Sequence, residues 1–244
     1  MTRPLDRRAR VALVAVVAAT MSVAAACTPG PEEPAGPCDS DSVPSISAGY
    51  PLTVPAPGWY AADTRANGSS QVDGGLPKLE GFGCTSARFT TGETDGGKDK
   101  AQLVTFSYAG SPLDDIEDIS YWSFRSSAST STSPAPTTAL NVGIHQAGST
   151  AVTYLVYEPY LQSGGNDGVV PDVWQFWDAT TTAPGDGRWW SNAVGQGTYF
   201  SWDQLQGLYP GATIRSIGFN VGSYNPNLLV GGEGLTIDGV TTDF

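Results

Sequence analysis

The stretch PDVWQFWDATTTAPGDGRWW, residues 171–190, decides how the chain is read, because it holds four of the seven tryptophans. Successive strand residues point to opposite faces, so Trp174 and Phe176 share one side while Val173, Gln175 and Trp177 share the other. The run APGDG at 183–187 has turn chemistry, and Arg188, Trp189 and Trp190 read as a return strand. The expectation is a wide hairpin with aromatic mass on both faces, one of which must be core. Trp189 and Trp190 sharpen the point. As neighbours in a strand they face apart, so one of them is either beneath a loop or open to a ligand.

Working outward, the same short-strand signal recurs. AQLVTFSY at 101–108, ISYWSFR at 119–125, LNVGIHQ at 140–146, AVTYLVYEPY at 151–160 and TIRSIGFNVG at 213–222 alternate as strands do, and GST at 148–150 joins two of them as a hairpin. Residues 63–77 are polar and Gly-rich and read as loop. SWDQLQGLY at 201–209 is the one helix expected. Ser201 caps it, Leu205 and Leu208 share a face, and Pro210-Gly211 ends it. Many short strands at hairpin spacing with a single helix predict an all-β fold, a two-sheet jelly-roll-like β-sandwich with one short helix near 201–209. In such a fold one sheet face can bind while the other is packed under loops.

Three segments are expected. Residues 1–26 read as a lipoprotein signal peptide. Arg3, Arg7, Arg8 and Arg10 form a basic start, an apolar run follows, and small residues precede Cys27. VAAAC resembles a bacterial lipobox, with Ala24 where that pattern prefers Leu, and the resemblance implies a diacylglycerol on Cys27. Residues 27–57 are a Pro/Gly-rich tether, and 58–244 the β-sandwich domain. The expected place is the extracellular face of the cell membrane, lipid-anchored, or secreted. With Cys27 acylated, Cys38 and Cys84 remain as an even pair in an oxidising compartment, which predicts one disulfide. Removing the leader takes four arginines and Asp6 with it, so the formal charge of −12 becomes −15. That argues against nucleic acid or anionic lipid surfaces as partners.

LDDIEDISYWSFRSS, ALNVGIHQ, TYLVYEPY, DVWQFWDA with RWWS, IGFNVGSYNPNL and LTIDGVTTDF resemble a domain found in secreted actinobacterial and other bacterial proteins. The resemblance covers 89–244. It implies a jelly-roll β-sandwich similar in outline to carbohydrate-binding modules. Such a fold hosts lectins, binding modules and enzymes alike, so function has to come from the site.

Aromatic faces stack on the apolar faces of sugar rings. Trp189, Trp190, Trp177 and Tyr160 are the candidate ligand contacts, set against plain core packing. Calcium is the one metal considered. Carbohydrate-binding modules of this outline often hold a structural calcium, and by resemblance Asp238 or Asp243 would join an early acidic residue around it. No other cofactor is expected, and one histidine leaves no zinc ligand set. Catalysis is the alternative. Ile144-His145-Gln146 followed by the 218–224 stretch GFNVGSY is similar in order to the motifs of jelly-roll alginate lyases, which would make His145, Tyr224 and Gln146 the catalytic set. Gln146 follows rather than precedes the histidine, and Asn220 stands where that family has lysine. The leading expectation is a non-catalytic cell-surface domain whose partner is a polysaccharide or other cell-envelope glycan. The alternatives are a structural or adhesive surface protein and a uronate lyase.

Overall fold

The computed structural model describes residues 56, 58–65, 67–92, 98–131, 136–162 and 165–244. Cys27, Cys38, the signal peptide and nearly all of the tether lie outside the described residues.

Two antiparallel sheets form the sandwich, and nearly every strand is shorter than eight residues. The first runs, edge to edge, through β1 (Trp59–Ala61), β4 (Ala101–Thr105), β10 (Thr213–Val221), β6 (Ala139–His145), β7 (Val152–Tyr157) and β9 (Trp189–Ser191). The second runs through β2 (Ser69–Asp73), β3 (Ser86–Thr90), β11 (Leu229–Ile237), β5 (Ile119–Arg125) and β8 (Trp174–Asp178), with β12 (Val240–Thr242) on the far half of β11. The all-β sandwich expected from the alternation is the observed fold.

Register decides what each face carries. In the first sheet, Ala61, Leu103, Phe219, Leu140, Tyr157 and Trp189 lie side by side across all six strands. Apart from half-buried Ala61 they are completely buried and face the second sheet. Phe219 is the centre of this layer. Its ring stacks on Trp59 at 5.5 Å, meets Tyr121 at 5.7 Å and Phe89 at 6.5 Å, and fills the space over Gly232, where a Cβ would come within 2.8 Å of it. Truncating such a ring costs about 3–5 kcal/mol.

The outer faces differ. On the second sheet, the segment 74–85 lies over Gly231 and Gly234. Leu76 and Phe82 occupy the room those glycines leave, and the Trp174 indole donates to the Pro77 carbonyl at 2.7 Å. Among the described residues, no such segment covers the centre of the first sheet's outer face.

The expected wide hairpin is not there. β8 pairs with β5 in the second sheet, and β9 pairs with β7 in the first. Residues 179–188 therefore carry the chain from one sheet to the other. The Trp189 indole donates to the Ala179 carbonyl at 2.7 Å, and Gly187, at φ +61°, has no room for a Cβ beside the Thr181 carbonyl. Segment 63–77, read as loop, contains β2. After the turn at 192–197 the chain touches the first sheet again through an isolated bridge from Phe200 to Trp189. The helix α1 (Trp202–Leu208) forms as expected, with the Ser201 hydroxyl and the Gln204 side chain closing a reciprocal capping box. Its buried side is Trp202 and Leu205; Leu208 is 43% exposed rather than sharing the Leu205 face.

Candidate functional site

The row next to the buried one faces outward. Tyr60, Val104, Gly218, Asn141, Val156 and Trp190 stand in register across the first sheet. At about 4.8 Å per strand this row is roughly 24 Å long. On it lies a cleft of about 440 Å³. Asn141, Val156 and Asn220 make its floor. Trp190, Glu158, Asn192 and Gln196 line it on the β9 side. Asp63, Arg65 and Lys100 line it on the β1–β4 side, and the turn 222–225, with Tyr224, overhangs it.

The floor is chemically unfinished. Asn141 and Asn220 are each 6% exposed, and the side-chain carbonyl oxygen of each is buried without a hydrogen-bond partner. A buried polar group left unpaired costs about 1–3 kcal/mol. Both sit in strands whose inward neighbours are apolar, so burial at these positions serves the outer cleft and not the core. Glycine keeps the floor low. The backbone of β4 is so close to Gly218 that no Cβ fits, and the Tyr154 ring lies over Gly143, 3.3 Å from where a Cβ would stand.

At the β9 side the Trp190 indole donates to Glu158 Oε2 at 2.8 Å, which fixes the ring. The same oxygen accepts from the Tyr160 hydroxyl at 3.1 Å and from Gln196 at 3.4 Å. Burial pushes the Glu158 carboxyl above its ordinary range, against the lowering effect of these donors. At the opposite side Asp63 accepts from Arg65 through both oxygens, each at 2.6 Å, and from Lys100 at 2.6 Å. Burial works to raise Asp63, but those hydrogen bonds and cations outweigh it and hold the carboxyl below the usual range.

Of the aromatic candidates, Trp190 lines the cleft. Trp189 does not: it is fully buried between Tyr157 and Trp202. Trp177 packs against the core from the second sheet and donates to Ser123 Oγ at 2.8 Å. Tyr160 is a supporting residue, holding Glu158. The catalytic set is not assembled. Tyr224 overhangs the cleft, whereas His145 lies outside its lining, with Nδ1 3.4 Å from the Ala151 carbonyl, and Gln146 donates to Thr153. Asp238 accepts from the backbone N–H groups of Glu117 and Asp118, both at 2.8 Å, in a turn with φ +49°. Among the described residues, neither Asp238 nor Asp243 belongs to a group of three or more acidic, histidine or cysteine side chains that would hold an ion.

The floor asparagines, Glu158 and the Asp63–Arg65–Lys100 cluster escape a reading led by aromatics. A signal existed: Asn141 and Asn220 are strand-central amides flanked by apolar residues, in LNV and FNV.

No protein-family profile matches the chain, and no curated protein does. Among solved structures, an arabinose-bound α-L-arabinofuranosidase is similar over 72% of this chain and 23% of its own, at 13% identity and a TM-score of 0.32. The chain thus spans about a quarter of that enzyme's length. A likeness this slight assigns neither family nor function.

Proposed function

We propose that the outer cleft of the first sheet is a glycan-binding site, and that the protein is a non-catalytic surface lipoprotein that displays it. The observation that carries this reading is the pair of buried, unpartnered amide oxygens of Asn141 and Asn220 facing a cleft with an oriented indole, Trp190. Amide acceptors beside a fixed aromatic face are what a polyhydroxylated ring uses: hydroxyls complete the floor, and the ring's C–H face covers the indole. Anchoring through Cys27, the tether 27–57 and a Cys38–Cys84 disulfide belong to the same proposal and rest on the sequence. A uronate lyase is disfavoured by the placement of His145 away from Tyr224.

The test is binding to an array of plant, bacterial and fungal polysaccharides, followed by calorimetry on the hits. Trp190→Ala should weaken binding about tenfold or more while leaving the melting temperature within a few degrees of wild type, as expected for an aromatic contact that is not core. Wild-type protein that retains no polysaccharide sinks the reading, as does undiminished binding by Trp190→Ala. Incubation with uronate polymers should yield no unsaturated product.

A further inference from the structure

The cleft continues into a second depression of about 120 Å³, lined by Asp63, Gln102, Phe106, Tyr154, Arg215 and Ser216 among others. Asp63 and Tyr154 line both, so the two form one trough along the outer face of the first sheet. Three of the eight Lys and Arg residues beyond the leader are on this face: Arg65, Lys100 and Arg215. Among the described residues, two carboxyls face them, Asp63 and Glu158. Asp63 is already shared between Arg65 and Lys100. Glu158 is engaged by Trp190, Tyr160 and Gln196 instead of a cation. Arg215 forms no ion pair among the described residues, and its guanidinium reaches the Tyr154 hydroxyl at 3.4 Å. In a chain with a net charge of −12, a trough whose described lining carries more cations than acids runs against the background. The general acidity of the protein counts against polyanions at its surface; this face is the exception.

We propose that the glycan received by this trough is acidic, and that one anionic substituent of the chain sits against Arg215 while its hydroxyls complete Asn141 and Asn220. The proposal rests on the glycan-binding reading above and names its ligand class. A guanidinium fork suits the paired oxygens of a carboxylate, phosphate or sulfate. Phe106 and the Tyr154 ring give the adjoining sugar an apolar seat, and the Tyr154 hydroxyl and Ser216 lie beside the anion's position.

The experiment is calorimetry at 0.15 M NaCl with five probes: polygalacturonate for carboxylate, poly(glycerol phosphate) for phosphate, dextran sulfate for sulfate, and dextran and arabinan as neutral chains. At least one acidic probe should bind about tenfold more tightly than either neutral chain, equivalent to about 1.4 kcal/mol. The acidic probe that does so identifies the anion. Arg215→Gln should abolish the preference, weakening the acidic probe about tenfold more than either neutral chain, and Arg215→Lys should retain part of it. If neutral chains bind as well as acidic ones, or if the acidic preference survives in Arg215→Gln, this proposal is overturned while glycan binding stands. If none of the five probes binds and the polysaccharide array is also blank, both readings fall.

Discussion

Trp189 and Trp190 are adjacent in sequence and belong to different parts of the molecule. The strand's two-residue period turns Trp189 inward, where Tyr157 lies 5.4 Å and Trp202 4.9 Å from its ring, and turns Trp190 outward onto Glu158. Truncating each should therefore separate stability from binding. Trp189→Ala removes a fully buried indole and orphans the Ala179 carbonyl. It should cost about 3–5 kcal/mol by denaturant titration. Trp190→Ala, half-buried at the cleft, should cost less than about 1.5 kcal/mol, and its effect should fall on ligand affinity. Equal destabilisation by the two would mean that the outer face is also core.

At the scale of elements, the turn after β10 is the informative one. Tyr224 has φ +70° and is 76% exposed, a large aromatic in the left-handed region over the cleft. Such a conformation costs about 1–3 kcal/mol and persists where the surroundings impose it. Here Asn225 holds the turn through the Gly222 and Ser223 carbonyls, and Thr91 ties its backbone to the neighbouring loop. Tyr224→Gly should therefore raise stability by about 1 kcal/mol, seen as a rise of roughly 2–4 °C in melting temperature, while weakening glycan binding. A lower melting temperature in Tyr224→Gly would show that the ring packs against the domain and does not serve the cleft. Sequence made some elements visible and hid others, for physical reasons. The Ser201 capping box is local chemistry and is read directly from SWDQ. The 179–188 connection is not, because turn residues between two aromatic strands carry the same local signal whether those strands pair or join opposite sheets. Only the partners, β5 for one and β7 for the other, decide it. β2 was hidden because SSQVD carries one apolar inward residue, Val72. The cleft was half visible: Trp190 stood out as an aromatic and Tyr224 through the lyase-like order of GFNVGSY, while Asp63, Lys100 and Asn220 meet only through strand pairing far apart in sequence.

For the whole molecule, acidity and burial together set how stability changes with pH. Glu233 is 1% exposed on β11, beside Gly234 and the chain's last residues. Burial pushes its carboxyl up to about 8 from an ordinary 4.5. The Gly234 N–H lowers it, Asp243 raises it, and the Phe244 N–H lowers it. The folded chain thus binds this proton more tightly than the unfolded chain. The contribution to stability is complete below pH 4.5 and is lost progressively as pH rises towards 8. At about 1.4 kcal/mol per unit the loss has an upper bound of roughly 5 kcal/mol. Glu158, also raised by burial, acts in the same sense. Asp63 and Asp73 act in the opposite one. Burial would raise them, but hydrogen bonds from Arg65 and Lys100 to the first, and from Arg88 and the Gly75 N–H to the second, hold both below 3.8. Their contributions are therefore present above that value and fade as pH falls further. The raised glutamates thus favour the folded chain on the acidic side of neutrality, and the lowered aspartates withdraw their support only at still lower pH. Urea titrations at pH 5, 6.5 and 8 should show the wild type weakening at each step. Glu233→Gln keeps an acceptor for the Gly234 N–H and carries no proton to lose, so its stability should fall less steeply over the same range, with Glu158 supplying the remaining slope, and exceed the wild type at pH 8. A wild type equally stable at pH 5 and pH 8 would mean that Glu233 ionises without cost, with water or a cation reaching it beneath the 74–85 segment.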